Sequence, residues 1–244
     1  MKFATFKTKN SKNSRYGFKR GEHVVDLLYL KQFLQEKNNE TRFSNLPTSL
    51  KEALKNWDQN LRKFKMLDKE LSYEILKART KGGFNIAQHI SDIQFLAPIP
   101  NPNSFRDFYA FEQHVRSARK LRGLDMHPDW FKIPIFYFSN ANALYGHGAP
   151  ITYPKMTQEL DFELEFAIII ANGGSNINHK DADKYIAGYT ICNDWSARDL
   201  QREEMAMSLG PAKGKDFATS FGPFLVTPDE LQNKWDENGK LHLR

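Results

Sequence analysis

The chain has 244 residues, 40% hydrophobic and 13% aromatic, enough for a packed core in one large domain or a main domain with a small appendage. The lone cysteine, Cys192, excludes an internal disulfide and suits a reducing cytoplasm, and the N-terminal MKFATFKTKNSKN lacks the apolar stretch of a signal peptide. The formal charge of +6 raises nucleic acid as a partner, but much of the excess lies between Lys51 and Lys81, where lysines interleave with Leu54, Trp57, Leu61, Phe64 and Leu67 as on the wet face of an amphipathic helix.

No membrane span is expected either, because the longest apolar run, Phe166 to Ala171, is far short of the ~20 residues that cross a bilayer. The first thirty residues read as β-rich, with a turn at Arg20-Gly21 and a short strand at Val24-Val25. Asp26 then caps a helix through Leu27, Leu30 and Phe33. After a polar loop, Lys37 to Asn45, a second helix starts at Ser49, with Glu52 as reciprocal partner in a capping box, and runs until Gly82-Gly83 stops it. The stretch APIPNPNS, Ala97 to Ser104, favours an extended backbone and marks the expected boundary between units 1–97 and 98–244.

Beyond it the pattern predicts a helix from about Phe108 to Arg122, a loop with Pro128 and Pro134, an aromatic strand IFYF and a turn YGHG. An acidic strand, a turn at Asn172-Gly173-Gly174, a strand from Tyr185 to Cys192 and a short helix from Ala197 follow. Strands dominate this half and helices are short, so the fold class is α+β.

Several signatures are missing: HExxH, paired CxxC and GxSxG do not occur, and GPAKGKD has the wrong spacing for a phosphate-binding loop. Cys192 and Ser196 lack a neighbouring base and read as core or cap, Ser196 with Asp199 resembling a helix start. What remains is ELDFELEF, Glu159 to Phe166, whose unbroken period of two buries one apolar face and aligns Glu159, Asp161, Glu163 and Glu165 on the other. Same-face neighbours lie about 7 Å apart, so each adjacent pair repels by roughly 2 kcal/mol at an effective dielectric near 20. Asp194 after the next strand and Asp107 at the head of the helix add carboxylates that a hard divalent cation would accept. Spacing alone also suits a plain wet face. Reading residues 108–122 as one helix puts His114 two turns past Asp107 on nearly the same face, about 10 Å along, facing one cleft. Arg198 and Gln201, three apart, share a helix face as anion and carbonyl binders would.

The segments RDFYAFEQHV (Arg106–Val115), QELDFELEF (Gln158–Phe166), NDWSARDLQ (Asn193–Gln201) and LGPAKGKDFATS (Leu209–Ser220) resemble the fumarylacetoacetate hydrolase family in order and spacing. The resemblance implies a mixed β-sandwich roll preceded by a small β-rich domain, usually as a homodimer, with Mg²⁺, Ca²⁺ or Mn²⁺ binding a diketo or enol acid. By matched position it implies metal carboxylates at Asp107, Glu163, Glu165 and Asp194, with the Thr219 hydroxyl beside them. It implies a base at His114 that activates water, a lysine at Lys215, and substrate contacts at Tyr109, Tyr137, Arg198, Gln201 and Arg122, the last one residue out of register. Glu159 and Asp161 are not ligands in that scheme.

The implied reaction is hydrolysis of a carbon-carbon bond in a fumarylacetoacetate-like or acylpyruvate-like acid, in aromatic amino-acid breakdown. Isomerisation, hydration or decarboxylation at the same metal, and a catalytically silent binding protein, are the alternatives. Met205 stands where fumarylacetoacetate hydrolases proper place a tyrosine, and one extra residue precedes Lys215. The family also continues well past KLHLR, with a Gly-Thr pair and a glutamate this chain lacks. Poor activity or stability is therefore expected of residues 1–244 alone, with sheet edges unpaired.

Overall fold

The computed structural model describes residues 1–9, 13–38, 41–208 and 210–242. In chain order the elements are β1 (Lys2–Thr8), β2 (Arg15–Arg20), β3 (His23–Asp26), α1 (Leu27–Asn38), α2 (Leu50–Leu54), α3 (Trp57–Glu70), α4 (Tyr73–Lys77), β4 (Ala87–His89) and β5 (Ile93–Phe95). Then come β6 (Arg106–Phe108), α5 (Glu112–Leu121), β7 (Phe136–Phe138), β8 (Leu144–Tyr145), β9 (Leu160–Ile170), β10 (Ile186–Ala197), α6 (Arg198–Ala206), β11 (Thr219–Phe221) and β12 (Leu225–Val226). The chain is α+β, as the patterning predicts.

The N-terminal elements follow local chemistry closely. Asp26 caps α1, its Oδ1 accepting the N–H groups of Leu28 and Tyr29 at 3.0 Å each, while Arg15 clasps both carboxylate oxygens at 2.7 and 2.8 Å. Ser49 caps α2 by accepting the Glu52 N–H at 3.1 Å. The reciprocal half of the expected box does not form, because Glu52 turns to Lys55 at 2.8 Å. The single helix expected from Ser49 to Gly82 is three helices. It breaks at Lys55-Asn56 and again at Leu71-Ser72, where Ser72 caps α4. The breaks let Leu50, Trp57, Phe64 and Leu67 all reach the sheet, which one straight 33-residue rod could not do against a compact twisted surface. Part of the polar loop expected at Lys37 to Asn45 lies outside the described residues.

A ten-stranded mixed sheet runs β4-β3-β2-β1-β12-β10-β11-β8, with β5 paired to β1 and β9 to β10; β6 and β7 form a separate ribbon. The pairs are antiparallel except β8–β11. The core gathers Phe3, Tyr16, Phe18 and Phe64 with Ala187 and Leu225 from the far end of the chain. We keep 1–97 and 98–244 as proposed units, joined by this one sheet through Lys2↔Val226 and Phe3↔Leu225. The proline stretch between them is buried at Ala97, Pro98 and Ile99, and the Pro98 carbonyl accepts the Thr5 hydroxyl at 2.6 Å. Among the described residues no helix is long and apolar enough to cross a membrane.

Two corrections concern the elements that carry the site. The helix expected from Phe108 starts at Glu112, so Asp107 lies on β6, opposite Tyr137 of β7. Along the expected helix Val115 is buried, while Phe108 and Phe111 are exposed. The second strand runs on to Ala197, so Asp194 sits within β10 rather than after it.

Candidate metal centre

The site is built on the paired strands β9 and β10. Their antiparallel register sets Glu163 directly opposite Asp194, Glu165 opposite Cys192 and Asp161 opposite Ser196, all on one face. That face is the inner one. The sequence pattern predicts the reverse, with the apolar residues buried, yet Phe162 is 61% and Leu164 75% exposed while Glu163 and Glu165 are partly buried and Asp194 is buried. The cause is the set of partners beneath: cations and hydroxyls from α6, β7 and the 210–218 loop gather under the acidic face.

Those partners divide the four aligned acids. Glu159 is held by both Nη atoms of Arg202 at 2.7 and 2.8 Å. Asp161 receives Arg198 Nε at 2.9 Å, and Glu163 receives Arg198 Nη1 at 2.6 Å. Lys215 Nζ lies between the two strands, 2.6 Å from Glu163 Oε2 and 2.9 Å from Asp194 Oδ2. Arg202 escaped the sequence reading; its signal was spacing, four residues past Arg198 on the same helix face.

Asp107, Glu163, Glu165 and Asp194 remain as a cluster, one carboxylate oxygen of each lying within 4.8 Å of all the others. Lys215 and a shared Arg198 are the cations that touch it, at Glu163 and Asp194, and Asp107 and Glu165 have no cation partner among the described residues. The Tyr137 hydroxyl stands 2.7 Å from an oxygen of both Asp107 and Asp194. It has one proton, so one of these contacts needs a second proton or a cation.

The electrostatics carry the same mark. Burial and the charges of Asp107 and Asp194 push Glu165 up to about 8, with a shared hydrogen bond to Asp107. Burial raises Asp194 too, against the pull of Lys215 and Tyr137. Burial also opposes the charge on Glu163, but Lys215 and Arg198 outweigh it and hold its carboxyl low. Burial and the carboxylates beside it keep the Tyr137 hydroxyl protonated. Four hard oxygen donors with surplus negative charge, and no histidine among them, fit a divalent ion such as Mg²⁺, Mn²⁺ or Ca²⁺.

Of the other expected residues, Thr219 is buried and faces Asp194 across β10–β11, and Gln201 Oε1 accepts Arg198 Nη1 at 3.0 Å. Tyr109, His114 and Arg122 form a second group. The His114 ring stands edge-on to Tyr109 at 5.9 Å, and Arg122 Nη2 lies 3.5 Å from the Tyr109 hydroxyl. His114 is exposed on the first turn of α5 and makes no described hydrogen bond to the acid cluster. The shared helix face with Asp107 fails because Asp107 is on a strand. Ser196 does not cap α6; its hydroxyl donates to the Asp194 carbonyl at 3.2 Å, and Asp199 instead accepts the Gln158 N–H at 2.8 Å and the Thr157 hydroxyl. Cys192 joins the cluster's edge, its thiol 3.6 Å from Glu165. Leu209, first residue of the fourth motif, lies outside the described residues.

Comparison with known proteins decides the family. Residues 103–244 match the model of the fumarylacetoacetate hydrolase C-terminal domain. The chain belongs to this family. It is 36% identical over 163 residues to a fumarylacetoacetase of Oryza sativa, covering 59% of this chain and 38% of that one. It is 32% identical over 163 residues to a mitochondrial oxaloacetate tautomerase of Xenopus laevis, covering 63% and 47%. In structure it resembles a maleylpyruvate hydrolase from Sphingobium bound to manganese and pyruvate, with TM-score 0.59, 16% identity, and coverage of 96% of this chain and 70% of that one. The chain spans less than two thirds of the length of these curated relatives.

Proposed function

We propose that the chain carries the metal-binding centre of a hydrolase that cleaves a carbon-carbon bond in a fumarylacetoacetate-like or acylpyruvate-like diketo acid. The observation that carries this is the convergence of Asp107, Glu163, Glu165 and Asp194 with surplus negative charge, at the positions the family motifs mark. When bound there, Mg²⁺, Mn²⁺ or Ca²⁺ would supply Lewis-acid neutralisation of an enolised 1,3-dicarbonyl. The residues around it take the other roles. Lys215 has an ammonium inside the cluster and would donate to an oxyanion or protonate a leaving carbanion. Arg198 and Gln201 are placed together for an anion and a carbonyl. Tyr109, His114 and Arg122, which touch one another, would contact the substrate, with His114 as base for water. A small-molecule acid and a second copy of the chain are the partners of this reading.

Tautomerisation is the second reading, favoured by the 32% identity to an oxaloacetate tautomerase. There a proton moves between carbon and oxygen and no carbon-carbon bond breaks. The test incubates the protein and Mg²⁺ or Mn²⁺ with acylpyruvates, fumarylacetoacetate and oxaloacetate, following enol absorbance and products. Two acids from one mark hydrolysis; an isomer of unchanged mass marks tautomerisation. Asp194→Ala is expected to abolish either. Turnover that survives Asp194→Ala would falsify the metal-centred reading.

A further inference from the structure

Lys215 reaches the acid cluster from an irregular loop, so its aim depends on what holds that loop. Glu204 lies in the last turn of α6, where the helix carbonyls disfavour a carboxylate and no basic residue accompanies it. Its side chain leaves the helix instead. Oε2 accepts the backbone N–H groups of Ala212 at 3.1 Å and Gly214 at 2.9 Å, and Oε1 accepts that of Lys213. Three consecutive N–H groups converging on one anion make the nest that backbone turns offer to a ligand, here filled from within the chain.

The other side of the loop is fastened as well. The Gly214 carbonyl accepts the Ala197 N–H at 2.8 Å, and the N–H groups of Lys215 and Asp216 close on the Ala212 carbonyl at 2.9 and 2.7 Å. Gly214 also presses on α6: a Cβ there would stand 2.8 Å from the Gln201 nitrogen and 2.9 Å from its Cα. The loop is thus clipped on both sides directly before Lys215, whose side chain is 4% exposed.

We propose that Glu204 is a positioning residue of the site, its carboxylate holding the Ala212–Gly214 backbone so that Lys215 enters between Glu163 and Asp194. This rests on the reading of the cluster as a divalent-ion centre. The ammonium of Lys215 competes there with the ion for the same two carboxylates. Releasing the loop withdraws that competitor and tightens ion binding, whereas general damage to the site weakens it.

The experiment titrates Mn²⁺ by calorimetry or electron paramagnetic resonance into the 244-residue protein and its variants. Lys215→Met, which removes a positive charge from beside the ligands, is expected to bind Mn²⁺ roughly tenfold more tightly, and Glu204→Gln, which lets that same ammonium withdraw, is expected to shift binding in the same direction. The double variant is expected to match Lys215→Met alone, as for residues acting through one group. Gly214→Ala, which pushes the loop off α6 without touching the carboxylate, is expected to shift binding in the same direction. Glu204→Gln that binds Mn²⁺ like the wild type or more weakly, or effects that add in the double variant, would overturn the proposal. Failure of the underlying reading shows earlier and separately: wild-type protein that takes up no Mn²⁺, or that Asp194→Ala leaves unchanged, removes the metal centre and the proposal with it.

Discussion

Residues 1–97 and the β9–β10 pair solve opposite packing problems. In the first, Phe3, Tyr16, Phe18 and Phe64 are fully buried in ring contacts such as Phe3–Phe64 at 5.2 Å, and the charges mostly stay outside. In the second, Phe162, Leu164, Ile168 and Ile191 are exposed while Glu163, Glu165 and Asp194 face inward, Glu163 onto Arg198 and Lys215 and Asp194 onto Lys215. The first region is held by removing apolar surface from water, and the second by electrostatic satisfaction around a site. An alternating strand therefore states that its two faces differ, without stating which one goes inside.

The comparison can be broken at its apolar end. Phe64→Ala should cost about 3–5 kcal/mol in urea unfolding, as for an aromatic deleted from a closed core. A loss below 1 kcal/mol would mean that the N-terminal core is not the stabilising element. At the charged end, Asp194→Ala should weaken Mn²⁺ binding by at least about 100-fold while leaving the N-terminal core intact, read by calorimetry beside near-ultraviolet circular dichroism.

A smaller effect separates the two regions by pH. In chelator, the Glu165 carboxyl titrates near 8 in the folded chain and near 4.3 unfolded. The folded state therefore binds the extra proton, and this contribution is complete below the unfolded value and lost as pH rises through about 8. Its slope is at most about 1.4 kcal/mol per pH unit. The wild type should lose stability relative to Glu165→Gln between about pH 5 and 8, and saturating Mn²⁺ should cancel the loss. A parallel pair of pH profiles would sink this. Smallest of all, Leu164→Ser should change unfolding by less than about 0.5 kcal/mol, because Leu164 is 75% exposed; a core-sized loss would show that this face is covered in solution.

Much of the fold was legible where one local interaction decides it. Asp26 and Ser49 cap their helices, the turn falls after Arg20, and the acidic segment is a strand. Legibility failed where a local pattern had two solutions. Helical spacing from Leu54 to Leu67 was real, but the rod it implied is broken so that each piece can follow the twisted sheet. Aromatic and apolar residues after Asp107 resemble a helical stripe, yet Arg106–Phe108 pairs with β7, and this displaces His114 from the face of Asp107.

The candidate site divides in the same way. Acid identity and spacing, with the family motifs, named Asp107, Glu163, Glu165, Asp194 and Lys215, and these come together. The partners of Glu159 and Asp161 were not named, because an arginine that closes a salt bridge across α6 and β9 leaves no mark in either segment alone. Glu204 was missed for a similar reason: its role lies in backbone N–H groups, which every residue carries.

By itself, then, the sequence determined most element types, the starts of α1 and α2 and the acids from which the candidate site is built, since these follow from side-chain periodicity, capping and residue identity over short spans. The tertiary structure alone decided which face of ELDFELEF turns inward and which acids find an arginine. It also decided how Lys215 is aimed. Each of those depends on residues tens of positions apart meeting across the β9–β10 pair and α6, where register and packing, not local preference, set the distances.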